Sequence, residues 1–138
     1  MKTKLPKNYK PTHEEPFMNA AQKEYFRRKL VIWREDLLLE SSATLQYLQE
    51  ESSNAPDIAD RASMEAERSV ELRTRDRARK LVSKIEQALS RIADGSYGYC
   101  VETEEPIGIG RLDARPIATL SLEAQERHER LERTYRDD

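Results

Sequence analysis

One cysteine, Cys100, stands among 138 residues. No intrachain disulfide forms, which excludes the cross-linked framework of small secreted domains. With only two histidines, His13 and His128, the chain also lacks a conventional set of four Cys or His ligands for structural zinc. Glycine is equally scarce: all four lie between Gly95 and Gly110, and none forms a phosphate-cradling loop. No run approaches the roughly 18 apolar residues of a membrane span. The first sixteen residues carry Lys2, Lys4, Lys7 and Lys10 but no apolar stretch that would serve as a signal peptide, so the expected location is the cytoplasm. Neither sign of charge dominates. The net charge of −2 argues against simple electrostatic attachment to DNA, which needs a basic surface to release counterions.

What the chain has in abundance is helix-forming, charged sequence. Charged residues make up 36% and hydrophobic residues 37%, with 7% aromatic, too polar for a large spherical core and too apolar for disorder throughout. The prolines fall at 6, 11, 16, 56, 106 and 116. Two stretches, 17–55 and 57–94, therefore contain neither proline nor glycine, and both are dense in good helix formers. Asn19-Ala20-Ala21-Gln22 opens the first as a variant capping box. Phe26, Leu30, Trp33, Leu37, Thr44 and Leu48 follow at three-four spacing, interrupted at Ser41. The second carries Thr74, Ala78, Leu81, Ile85, Ala88 and Ile92, with Leu89 widening the stripe. Such narrow stripes suit a coiled-coil seam.

The polar link 52–57 is short, and short helix connections make antiparallel neighbours. Arms of about 33 residues would reach roughly 50 Å at about 1.5 Å per residue. Glu67 and Glu71 fall where the distal seam would prefer apolar groups, so stability is expected near Trp33, Leu37, Leu81, Ile85 and Leu89. Beyond Asp94 the pattern changes. Residues 97–101 and 107–110 read as two short strands around a turn containing Pro106. A last helix from about Leu120 aligns Ala124, His128, Leu131 and Tyr135. The expected fold is mostly α: a long antiparallel coiled-coil hairpin over 33–92 with its tip at about 52–62. A small globular head is expected from 17–32 and 93–138, after a flexible tail over 1–16.

No catalytic set stands out, and His128 reads as a packing residue rather than a general base. Asp57 and Asp60 have two readings. They cap and open the second helix, where the dipole favours anions, and they also place two acids at the far end of a slender hairpin. Arg73, Arg77, Lys80 and Lys84 form a basic stripe flanked by Arg75 and Arg79. It serves either to pair with acids of the first arm, which adds little stability, or to meet an acidic protein partner. Spacing alone does not separate these uses.

Read in order, the chain resembles the DksA family of bacterial regulators. The resemblance runs from about Glu14 to the C-terminus. It rests on Pro16-Phe17-Met18-Asn19, on 56–62 (Pro-Asp-Ile-Ala-Asp-Arg-Ala) and on 71–77 (Glu-Leu-Arg-Thr-Arg-Asp-Arg). In the head it rests on Tyr97-Gly98-Tyr99-Cys100 and on 107–116. The resemblance implies a factor that inserts its hairpin into the RNA polymerase secondary channel, without sequence-specific DNA binding. With ppGpp such factors destabilise open complexes at susceptible promoters, notably those for ribosomal RNA. The family's tip acids and the small residue after them match Asp57, Asp60 and Ala62. Its polymerase channel contacts match Arg77 and Lys84, and its alarmone site at the polymerase interface matches Leu81, Lys84 and Arg115.

Two departures accompany the match. The family's four zinc-binding cysteines correspond to Cys100, Thr103, Ser121 and Ala124, so the resemblance is to a cysteine-poor, zinc-independent type with a degenerate zinc-finger region at about 97–124. Burial of Tyr97, Tyr99, Val101, Ile107, Ile109, Leu112, Leu120 and Leu122 is expected to replace the metal. A lysine near the family's alarmone site corresponds to Gln125, with Arg127 and Arg111 as the nearby cations. A monomer is expected. The rival readings are a coiled-coil interaction module that has left the polymerase, and a transcript-cleavage factor like the Gre proteins.

Overall fold

The computed structural model describes residues 4–52 and 58–137, with side chains except at 44, 45, 47–49, 51, 52, 58–60, 136 and 137. Four helices follow one another: α1 Ala20–Ser52, α2 Ile58–Asp94, α3 Ile109–Ala114 and α4 Leu122–Asp137. The two long ones form the antiparallel coiled-coil hairpin, joined through 53–57. The chain divides into two compact units, 31–86 and 1–30 with 87–138.

The ends of the long helices follow from local chemistry. Asn19 caps α1: its side-chain oxygen accepts the Gln22 N–H at 2.9 Å, and the side-chain Oε1 of Gln22 accepts the Met18 N–H at 2.7 Å. Met18 sits at φ 55, a left-handed conformation held by this reciprocal bond and by burial of its side chain. At the other end Gly95, at φ 88, turns the chain out of α2 while the Arg91 carbonyl accepts the N–H groups of Gly95, Ser96 and Tyr97.

In the unit 31–86, only Ile85 is fully buried among the described residues. The half-buried positions of α2 run Met64, Arg68, Glu71, Arg75, Ala78 and Val82 before Ile85, with Leu81 beside Val82. The steps alternate between four and three residues, a heptad seam. This corrects the expected register in the distal part, because Thr74 and Glu67 are exposed. The helix offers Arg68 and Arg75 to the seam, both half-buried, and the aliphatic stems of such side chains cover apolar surface. Trp33, Leu37 and Ser41 are half-buried on α1, and the side chains of Thr44 and Leu48 lie outside the described residues.

The unit 1–30 with 87–138 holds the apolar core. Phe26, Leu30, Leu112 and Ala124 are fully buried, joined by Tyr97, Cys100, Ile109, Ile117 and Ala118. Each large side chain contributes about 2 kcal/mol of burial. Rings run in series from Tyr9 to Tyr25 (6.1 Å), Phe26 (5.1 Å) and Tyr97 (5.8 Å). The tail expected at the N-terminus is therefore not free over residues 9–16. Tyr9 donates to Glu15 at 2.6 Å, and the Thr12 carbonyl accepts from Gln22.

The two strands expected after Asp94 are reduced to one antiparallel bridge between Tyr99 and Pro106. Ile109 opens α3 instead of ending a strand. The physical reason is spacing: Ile109 and Leu112, three residues apart, are both buried, which a helix achieves and an alternating strand does not. Tyr99, Val101 and Leu122, expected in the core, are exposed. Ile117, Ala118 and Ala124 fill the core in their place.

Glu24 is 7% exposed, yet its carboxylate receives Arg27 at 2.7 Å and Arg28 at 2.8 Å. Hydrogen bonding from Arg27, opposed by desolvation, holds its carboxyl at about 2. A depressed carboxyl contributes stability above its ordinary value, and loses it as pH falls through the depressed one. Glu24→Gln should therefore show a shallower loss of stability than wild type between pH 4.5 and 2, read by acid unfolding followed by circular dichroism. In the hairpin, Arg75→Leu should raise the thermal midpoint, with a gain of about 1 kcal/mol, because an apolar side chain suits the seam better.

Candidate functional site

Asp57 lies outside the described residues, and Asp60 falls in the first turn of α2 with no side-chain description. Ala62 is exposed on the same turn of helix. A first turn favours carboxylates through the aligned peptide dipoles.

Further along α2, Arg73, Arg77, Lys80 and Lys84 are exposed along one face. The reading in which these cations pair with acids of α1 does not hold among the described residues. The ion pair seen in this stretch is local, Arg79 to Asp76 at 3.1 Å, and Arg73 donates to Ser69 at 3.3 Å. Arg77, Lys80 and Lys84 have no partner there. An unpaired basic face of this kind attracts an acidic surface. Leu81 is half-buried, three residues before the exposed Lys84.

Arg115 belongs to the unit 1–30 with 87–138, at the C-terminal cap of α3. Its side chain is exposed and has no partner among the described residues. Arg111, by contrast, is engaged, donating to the Leu120 carbonyl at 3.1 Å. Gln125 is half-buried and donates to Glu129 at 3.3 Å, while Arg127 is exposed. His128, expected to pack on the α4 stripe, is instead exposed and contacts the Glu102 carboxylate. Leu131 and Tyr135 are 52% and 78% exposed, so the stripe covers core only at Ala124.

Cys100 is buried, and each of its polar atoms is used. Its N–H donates to the Glu105 carbonyl at 2.8 Å, and its carbonyl accepts the Glu104 N–H at 2.9 Å. Desolvation pushes the thiol up. Donation from the Thr103 hydroxyl and from the backbone N–H groups of Ser121, Thr103 and Glu102 outweighs it and brings the thiol to about 6. Ser121 in turn caps α4, its hydroxyl accepting the Ala124 N–H at 3.2 Å. The resemblance aligned Cys100, Thr103 and Ser121 as one set but gave no sign of the main-chain groups beside the thiol, because main-chain donors leave no mark in residue types. Cys100→Ala, which leaves those donors without their acceptor, should cost about 1–3 kcal/mol in chemical denaturation. Cys100→Ser should recover part of that loss.

Comparison with known proteins now bears on both units. Residues 22–92 match the family described as DnaK suppressor protein DksA, N-terminal domain. Residues 95–130 match the prokaryotic dksA/traR C4-type zinc finger. The chain is 63% identical over 131 residues to the RNA polymerase-binding transcription factor DksA of Caulobacter vibrioides, covering 95% of this chain and 92% of that one. It is 45% identical over 117 residues to the protein of the same name from Escherichia coli K12, covering 85% and 78%. Among solved structures it is similar to the transcription factor DksA2 from Pseudomonas aeruginosa, with a TM-score of 0.80 and 44% identity over 85% of this chain and 90% of that one. The donor set here does not fit the zinc that a four-cysteine finger holds. Ala124 has no ligand atom, the Ser121 hydroxyl caps α4, and Cys100 is the sole thiol. Nor does any group of three or more His, Cys, Asp or Glu gather for a metal among the described residues. The chain is a member of the DksA family that carries one cysteine, Cys100, in the zinc-finger region.

Proposed function

We propose that this protein is a non-catalytic transcription regulator that binds RNA polymerase through the secondary channel. The observation that carries the reading is the 63% identity over 95% of the chain to a protein named for polymerase binding. It spans the hairpin and the head alike. In this reading residues 17–32 and 93–138 act as a head, and 33–92 as the inserted hairpin with its tip at about 52–62. Asp57 and Asp60 face the polymerase active centre, with Ala62 leaving room beside them. Arg77 and Lys84 contact the channel, which agrees with their lack of partners among the described residues.

The action is a population shift: a tip that binds one open-complex conformation better than another changes their ratio by that difference in affinity. With ppGpp, contacted by Leu81, Lys84 and Arg115 together with the polymerase, the factor destabilises open complexes at promoters such as those for ribosomal RNA. Gln125 removes one cation from the alarmone site, and Arg127, exposed and two residues along the chain, or Arg111 compensates for it. The protein works as a cytoplasmic monomer with no sequence-specific contact to DNA, and its head folds without zinc.

Two experiments test this. In transcription from a ribosomal RNA promoter with cognate polymerase, Asp60→Asn should bind polymerase as wild type does but inhibit roughly tenfold less, the effect of losing about 1.4 kcal/mol of differential binding. Equal inhibition by the variant would reduce the tip to a helix start. Accelerated transcript cleavage in stalled complexes would favour a Gre-like factor instead. Separately, a chelator should leave the thermal midpoint of the purified protein unchanged. A melted head would contradict the metal-free reading.

A further inference from the structure

Arg115 stands between two anchors. On one side, Asp113 accepts the Tyr25 hydroxyl at 2.6 Å and the Lys29 ammonium at 2.7 Å on the same carboxylate oxygen. The same ammonium also donates to the Asp113 main-chain carbonyl at 2.7 Å. On the other side, the carbonyl of Pro116 accepts the hydroxyl of the buried Tyr97 at 2.8 Å. Arg115 itself donates its N–H to Arg111 at 2.8 Å, and its carbonyl accepts from Ala118 at 3.0 Å. The backbone here is fixed, while the guanidinium stays exposed and unpartnered among the described residues.

A helix of six residues does not hold itself in water, so the position of α3 and of the residue that caps it is imposed from outside. Burial of Ile109 and Leu112 fixes one face of α3. Its last turn is fixed by α1, through Tyr25 and Lys29, reaching across more than eighty residues of sequence. Lys29 also lies 5.8 Å from the centre of the Tyr25 ring, whose other contacts are Tyr9 and Phe26. Lys29 does a second thing. It neutralises a carboxylate two residues from the free guanidinium, so that an approaching polyanion does not meet a bare negative charge.

We propose that Lys29 and Tyr25, acting through Asp113, are positioning residues for Arg115, presenting its guanidinium to the phosphate groups of a nucleotide effector. This rests on the reading of Arg115 as an effector contact. Preorganisation of this kind acts by lowering the ordering cost of binding. The bonds at Asp113 are partly exposed, so their effect is modest and confined to effector response. Tyr97 and the apolar core, not this lock, carry the stability of the unit.

The test is a ppGpp titration of promoter inhibition, with full-length protein and cognate polymerase. Lys29→Met keeps the stem and removes the charge. It should raise the ppGpp concentration for half-maximal response roughly two- to fivefold, which at 1.4 kcal/mol per factor of ten is about 0.4–1 kcal/mol, the range of exposed ion pairs. Inhibition without ppGpp and the thermal midpoint should stay at wild-type values. Tyr25→Phe should shift the titration in the same direction, and Lys29→Arg should restore it. If Lys29→Met and Tyr25→Phe titrate as wild type while Arg115→Ala loses the response, the positioning role is wrong and the effector site stands. If Arg115→Ala also titrates as wild type, the effector reading fails and the proposal fails with it. Equal losses of effector-free inhibition and of thermal stability in Lys29→Met would make the lock merely structural and overturn the proposal.

Discussion

The turn that joins α2 to α3 closes around a single sulfur. In a four-cysteine finger the sulfur at this place would face a metal. Here the Thr103 hydroxyl and the N–H groups of Glu102, Thr103 and Ser121 face Cys100. The arrangement links what the metal would have linked. Residues 102 and 103 belong to the turn, and Ser121 is the cap of α4. Ala124, with no ligand atom, is fully buried one turn further on and lets α4 approach the core. Thr103, Ser121 and Ala124, at the positions of the other three cysteines, are thus tied in by the cap of α4 and by packing and are not three isolated substitutions.

The hairpin is governed by a different compromise. A seam that admits Arg68, Glu71 and Arg75 is weaker than an all-apolar one, and within 31–86 only Ile85 is fully buried among the described residues. Such a seam keeps the arms slender, with its long polar side chains half-buried. Among the described residues Arg77, Lys80 and Lys84 of the basic face beside it have no partner on α1, which would be wasteful in an isolated hairpin. It is consistent with the proposed role, in which binding surface rather than self-sufficient stability shapes the sequence.

Much of this was legible in the residues. The absence of proline and glycine from two long stretches marked both helices. Asn19 and Gln22 marked the start of the first, and Gly95 the end of the second. The distal seam register was not legible, because Glu67, Arg68, Glu71, Thr74 and Arg75 offer no apolar contrast for a period to follow. The strands expected at 97–101 and 107–110 failed for a related reason. Short apolar runs with glycine carry both periods, and only burial of Ile109 with Leu112 decides between them. Of the candidate site, the lack of partners for Arg77, Lys84 and Arg115 among the described residues needed coordinates, since spacing alone does not say whether a cation on α2 meets an acid of α1. The lock of Lys29 and Tyr25 on Asp113 joins residues too distant in sequence for any local pattern to connect.

In the proposed function the start of α2 enters the polymerase and works there. A photoreactive benzoylphenylalanine at Ala62, irradiated in a complex of the full chain with cognate polymerase, decides whether it does. Crosslinks to polymerase segments lining the channel beside the active centre are expected. Crosslinks formed only by a probe at Arg115, with none from position 62, would contradict it: the head would bind the polymerase while the tip stayed outside.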